Sequence, residues 1–427
     1  MNLKQNLFTE YRPLYSSSAE RPSVIRINMQ MRDAVNDNIM RYAVDTTMRR
    51  YPYFCVELKN EENNRWVFAD NKRPVVITNS LCGVELNSEK SNYHMLAFSW
   101  QDDRIIMDVF HGLADGKGAY EIIRTFLYYY CSRRYGITMS GEGVRLDGDF
   151  ISAEEWDDPV LKAKDLPSPS RKTMTDALNP VTAANLKEET KETVYGLTRD
   201  EEEFMRFTSE NNGSPATMIS LLLNRAVTRL YPDCTDSIRV TLTVNQRPAL
   251  RAPLAHQSLV GGAFLEHTDE IKSLPLNKQA AAYRKMVFEQ TTEQAILTGV
   301  ASQKGISQLL LSKATDGECT GIAKMLGDMT SRLVTANVSY VGKADFKEAE
   351  RYIRDFRLVT SGAGTALLLE ISAVNGKFTI EFVQPFSSGL YVSAFLEELE
   401  QNGISYGLQK AEKLELPNVR LPWSKLE

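Results

Sequence analysis

The sequence predicts an α+β protein of two similar halves, each a mainly antiparallel or mixed sheet flanked by helices. Three observations lead there. The chain has 427 residues, more than one hydrophobic core usually supports, so two domains of about 200 residues each are expected. Helical apolar periods alternate with short strand-like runs joined by tight polar turns. The order of those elements in the second half loosely repeats the first, a helix pair followed by mainly antiparallel strands, although no residue-level repeat is visible.

In the first half, Ile27, Met31, Val35, Ile39, Met40 and Ala43 recur at three- and four-residue steps, which predicts a helix over 25–50 stopped by Pro52. Strands at 53–58 and 65–68 flank a polar turn at 60–64 and read as a hairpin. Strands at 74–78 and 94–100 follow, the latter pairing with 104–110 across Gln101-Asp102-Asp103. A helix over 117–135 ends at Gly136, a residue suited to a left-handed cap.

Between 141 and 193 apolar periodicity weakens, charged and small residues dominate, and prolines fall at 159, 167, 169 and 180. This predicts an N-terminal lobe over 1–150, a crossover over 151–193 and a C-terminal lobe over 194–427. The second half opens with a capping box, Thr198 and Glu201, before a helix that stops at Gly213. Ser214 and Pro215 start another, with Met218, Leu221, Leu222, Ala226 and Leu230 along one face. A strand over 237–244 runs into Asn245-Gln246-Arg247-Pro248. Further strands are read at 338–342, 365–371 and 377–382, the last two turning at Asn375-Gly376, and a helix over 391–400 follows.

Composition narrows function. Fifty basic against fifty-five acidic residues leave a net charge of -5, which argues against a nucleic-acid-binding surface. No run reaches the roughly 18 apolar residues of a membrane span, and the first residues lack a secretory pattern, so a soluble cytoplasmic protein is expected. Five scattered cysteines without C-x-x-C spacing are expected to be reduced thiols. His94, His256 and His267 show no metal-ligand spacing, and no metal is expected. A P-loop, a dinucleotide fingerprint after a strand and a serine-hydrolase elbow are all missing.

One hexapeptide stands out, His111-Gly112-Leu113-Ala114-Asp115-Gly116. The β-branched and apolar residues of 104–110 place His111 at a strand end with a fixed backbone beneath it, the position a general base needs. Histidine is the side chain that takes and returns a proton near neutral pH. Gly112, Gly116 and Gly118 admit backbone angles that bulkier residues avoid. Asp115, directly before a helix, is also placed to cap it.

Together these landmarks resemble the CoA-dependent acyltransferase superfamily, which includes chloramphenicol acetyltransferase, alcohol acetyltransferases, plant acyltransferases and the condensation domains of nonribosomal peptide synthesis. The resemblance covers nearly the whole chain. Its strongest element is Phe110 with the hexapeptide, similar to the family's H-x-x-x-D-G motif. The helix pair and strand leading into Arg247 are similar to the segment whose arginine pairs with the motif aspartate, and Val338-Ser339-Tyr340-Val341-Gly342 looks like the family's later strand. Departures are Phe110, where many condensation domains carry a second histidine, the lack of a plant-type Asp-Phe-Gly-Trp-Gly, and Gly261-Gly262-Ala263-Phe264 in place of Gly-Asn-Phe.

The resemblance implies two chloramphenicol-acetyltransferase-like lobes with a channel between them, and an acyl-CoA as co-substrate. His111 would be the general base and Asp115 its catalytic-site partner, paired with Arg247 to hold the histidine loop. Gly112 and Gly116 would supply backbone room. Ser339, Tyr340 and Asn245 are candidates for meeting the developing oxyanion. The acceptor would be a small-molecule alcohol or amine and the chain a monomer. Condensation or release chemistry on a carrier-protein thioester, or a non-catalytic binding protein on the same fold, are the alternatives.

Overall fold

The computed structural model describes residues 4–6, 11–61, 65–168, 174–362 and 364–423. Among them the strands form three sheets. A five-stranded sheet runs Ile353–Val359, Val24–Met31, Arg104–Phe110, Leu96–Gln101, Ile77–Asn79, antiparallel except for the last pair. An eight-stranded sheet runs Val260–Glu266, Arg239–Asn245, Ala336–Lys343, Leu368–Val374, Lys377–Gln384, Thr193–Asp200, with Gly407–Leu408 and Glu412–Lys413 on its edge strand. Ala336–Lys343 is parallel to both its neighbours, so this sheet is mixed. A small third sheet contains the hairpin Val56–Glu61 and Arg65–Asp70.

Each large sheet has its own core. The first buries Ile27, Met107, Phe98 and Phe126 together with Phe346 and Phe356 from the second half. The second buries Leu222, Val240, Val338, Leu369, Phe382 and Phe395. The strand Ile353–Val359 lies in the first sheet although it comes late in the chain, and Ser372 and Thr379 of the second sheet donate from their hydroxyls to its Phe356 carbonyl. One strand therefore ties the two layers together.

Several sequence expectations need correction. The helix expected over 25–50 is a strand, Val24–Met31, followed by a helix, Asp37–Arg50. Ile25, Ile27, Met29 and Met31 alternate strictly with Arg26, Asn28 and Gln30, and that two-residue period, with the apolar set buried in the core, outweighs the four-residue coincidences. Asn36 then caps the helix by accepting from the Ile39 N–H. Thr198 is not a cap but a strand residue, and the cap is Asp200, which accepts from the Glu203 N–H. After Pro52 the chain makes a short 3₁₀ turn, so the hairpin begins at Val56 rather than Tyr53. Part of its expected turn, 62–64, lies outside the described residues.

Other expectations stand. The helix Gly116–Tyr135 ends at Gly136 with φ 62°, and Pro215–Leu230 starts at Ser214. The hairpin at Asn375-Gly376 turns with φ 50° and 74°, the pair of positive angles a tight two-residue turn requires. The sequence pattern does not announce the strands Val260–Glu266 and Ile353–Val359 or the helices Leu276–Gln290, Glu293–Leu311 and Asp316–Arg332. All five cysteines are unpaired, and among the described residues no helix is long and apolar enough to cross a membrane.

Candidate active site

Arg104–Phe110 is a strand buried along nearly its whole length, so the residue that follows it leaves a rigid base. The His111 N–H donates to the Ser23 carbonyl at 2.8 Å, and Leu113 closes a turn onto the Phe110 carbonyl. Leu113 and Ala114 then plug into the first core, at 1% and 0% exposure. The His111 ring is left half-buried on the wall of a cavity of about 310 Å³, and among the described residues it has no hydrogen-bond partner. That volume is at the low end of the roughly 300–1,000 Å³ usual for small-molecule sites.

Both halves of the chain build the cavity. His111, Gly116, Lys117, Tyr120 and Arg124 come from the first; Val244, Asn245, Val260, Ser339, Tyr340, Val341 and Lys343 come from the second. Lys117 is exposed at its edge, whereas Arg124 pairs with Glu121 at 2.6 Å and Lys343 with Glu201 at 2.9 Å.

Asp115 is as engaged as His111 is open. One carboxylate oxygen, Oδ1, accepts from the Gly118 N–H at 3.0 Å, capping the helix, and from Arg247 Nη2 at 2.9 Å. The other accepts from Arg247 Nη1 at 2.7 Å and the Leu259 N–H at 3.2 Å. Arg247 also donates to the Ala255 and Gln257 carbonyls, both at 3.0 Å. The pair is 3% and 2% exposed. A forked, buried pair of this kind holds geometry, and breaking it leaves an uncompensated charge.

The glycines act by size, not by backbone angle. None of Gly112, Gly116 or Gly118 has left-handed φ, which corrects the expectation for them. A Cβ on Gly112 would meet the Phe110 ring at 2.1 Å, and one on Gly116 would meet Val341 Cγ2 at 2.4 Å. A Cβ on Gly118 would lie 2.3 Å from the His256 carbonyl oxygen. The last two let the motif helix press against the second half.

Of the oxyanion candidates, Ser339 is hydrogen-bonded to the buried carboxyl of Glu370, which also accepts from Thr360 at 2.8 Å. Burial pushes Glu370 up to about 6 against those two hydrogen bonds. Asn245 accepts from the Arg247 N–H at 3.1 Å. Tyr340 lines the cavity and packs on Phe378. The other histidines are buried and engaged: His94 with the Arg73 carbonyl, His256 with the Glu155 carbonyl, His267 with Tyr283. Sequence reasoning missed Lys117 and Tyr120 as cavity residues, although a helix capped by Asp115 puts Lys117 in its first turn and Tyr120 just beyond it.

The fold, α+β with two sheet-centred cores and a cavity to which both halves of the chain contribute, is similar to that of solved condensation and epimerization domains and of TRI101. The polyketide synthase associated protein 5 of Mycobacterium tuberculosis matches over 93% of this chain and 98% of its own, with TM-score 0.58 and 14% identity. TRI101 of F. sporotrichioides, solved with coenzyme A and T-2, matches over 96% and 99%, with TM-score 0.57 and 11% identity. The epimerization domain from the third module of tyrocidine synthetase B matches over 94% and 95%, with TM-score 0.60 and 10% identity. No family model and no curated protein sequence matches the chain.

Proposed function

We propose that the protein moves an acyl group, acetyl in the simplest case, from a CoA thioester to an alcohol or amine. The observation that carries this is the unpartnered His111 ring on the wall of a cavity to which both halves contribute. The ring takes the acceptor's proton as its oxygen or nitrogen attacks the thioester carbonyl, and returns it to the departing thiolate when the carbon–sulfur bond breaks. Asp115 and Arg247 touch neither partner in this scheme; they fix the loop that carries the base. Lys117, exposed at the cavity's edge, suits an anionic co-substrate such as CoA. The coenzyme A in the TRI101 complexes supports this donor. A single chain holds both walls, which favours a monomer, and a CoA-dependent role fits the cytoplasm.

A second reading, the same chemistry on a carrier-protein thioester, is favoured by the likeness to a polyketide synthase associated protein and to the condensation domain of a polyketide synthase. The test is acceptor-dependent thiol release from a panel of acyl-CoAs with alcohols and amines. Release that disappears in His111→Ala supports the first reading. Turnover only with a carrier-bound thioester selects the second, and no turnover with either leaves a binding protein on this fold.

A further inference from the structure

We propose that the Tyr120 hydroxyl donates a hydrogen bond to an oxygen of the substrate in the His111 cavity, a contact that rests on the acyl-transfer reading above. Tyr120 lies on the motif helix just past its first turn and shares the cavity wall with His111 and Ser339. Its ring packs edge-on against Phe346 and Phe356, each 5.6 Å away and themselves 5.4 Å apart, and the residue is 4% exposed. The side chain therefore cannot swing its oxygen out to bulk water.

Among the described residues that oxygen has no hydrogen-bond partner. Other buried hydroxyls are unpartnered too, Ser99 and Thr208 among them, but of these only Tyr120 belongs to the wall of the His111 cavity, where a ligand can supply the missing partner. Two neighbouring polar groups are already engaged. Ser339 is bonded to Glu370, and the Asn245 side-chain carbonyl receives the Arg247 N–H. Burial pushes Tyr120 upward from its ordinary range, so it keeps its proton and serves as a neutral donor. Around it Val244, Val260 and Val341 offer nothing polar from their side chains. A substrate oxygen placed against this wall is oriented by Tyr120 while His111 handles the proton.

The test is Tyr120→Phe in the full chain, assayed with acetyl-CoA and the alcohol and amine panel beside wild type and His111→Ala. The expected result is an about tenfold to hundredfold loss of kcat/KM, the loss typical of removing one substrate hydrogen bond. The thermal midpoint should stay unchanged or rise, because the lost hydroxyl had no protein partner. A fall in kcat at constant KM assigns the contact to the thioester carbonyl oxygen, and a rise in acceptor KM assigns it to the acceptor; either supports the proposal. Unchanged kcat/KM in Tyr120→Phe, with His111→Ala inactive, overturns the contact alone. A lowered midpoint that tracks the lost activity also overturns it, in favour of a structural role. No turnover by wild type removes the acyl-transfer reading and this contact with it.

Discussion

The two ends of one hexapeptide are built on opposite principles. At Asp115 four donors converge on two carboxylate oxygens, and every one is fixed by a backbone or a buried guanidinium. At His111 the backbone N–H is held by the Ser23 carbonyl, but among the described residues the ring has no partner, and it lines a cavity. Saturated groups hold shape because any displacement breaks several bonds at once. Unsaturated groups on a cavity wall cost stability, or at best add none, and are available to a ligand. The contrast separates architecture from chemistry within six residues.

The contrast breaks most sharply through substitution at each end. His111→Ala should lower acyl transfer by about 10²- to 10⁴-fold, the contribution of a positioned general base, while leaving the urea midpoint where it was. Asp115→Ala should do the reverse first, destabilising by about 3–5 kcal/mol in urea denaturation because Arg247 is left buried and unpaired. Activity of the surviving folded fraction would fall as well, since the loop loses its anchor. Equal loss of stability in both variants would show that the imidazole is structural.

A smaller effect sharpens the role of the helix that joins them. Gly118→Ala places a methyl group where the His256 carbonyl already sits, and a backbone oxygen cannot step aside as a side-chain tip can. Overpacking of this kind costs about 1–3 kcal/mol. Gly136→Ala makes an informative partner, because no atom lies within 4 Å of the added Cβ and only its φ of 62° is strained. If the two cost the same by calorimetry, close packing between the halves is not what Gly118 provides.

Legibility followed the range of the interactions. The motif strand, its helix and the Asn375-Gly376 hairpin could be read because their residues satisfy neighbours a few positions away. The placement of Ile353–Val359 beside Val24–Met31 could not, since that pairing joins residues over 300 positions apart and leaves no local period. Val24–Met31 itself was legible in its alternation, yet Ile27, Met31 and Val35 satisfy a helical spacing equally well, and only sheet neighbours decide between the two. At the site, His111 and Asp115 were visible as a spaced pair. Tyr120 was not, because an uncommitted hydroxyl is defined by the absence of surrounding partners, which only the folded chain reveals.

The same opposition between saturated and unsaturated groups extends to the buried carboxyls between the sheets. Burial pushes Glu381 up to about 7 although Arg357 stands 3.1 Å away, and Asp355 and Glu412 add to the rise. The folded state thus binds a proton more tightly than the unfolded chain, whose glutamates titrate near 4.3. The contribution is fully present below that value and is lost as pH rises through about 7. His256 and His267, pushed down to about 4 by burial, act in the other direction: their contribution is present above about 6.5 and lost as pH falls toward 4. The two trends oppose one another between pH 4.5 and 6.5, so the wild-type profile alone does not isolate the carboxyl. Glu381→Gln does, because it keeps the shape and removes the titration. Its stability relative to wild type should increase from pH 5 to pH 8 by on the order of 1–2 kcal/mol in urea denaturation at fixed ionic strength. Parallel profiles would mean that Arg357 keeps Glu381 charged throughout, making this pair as saturated as Asp115 and Arg247.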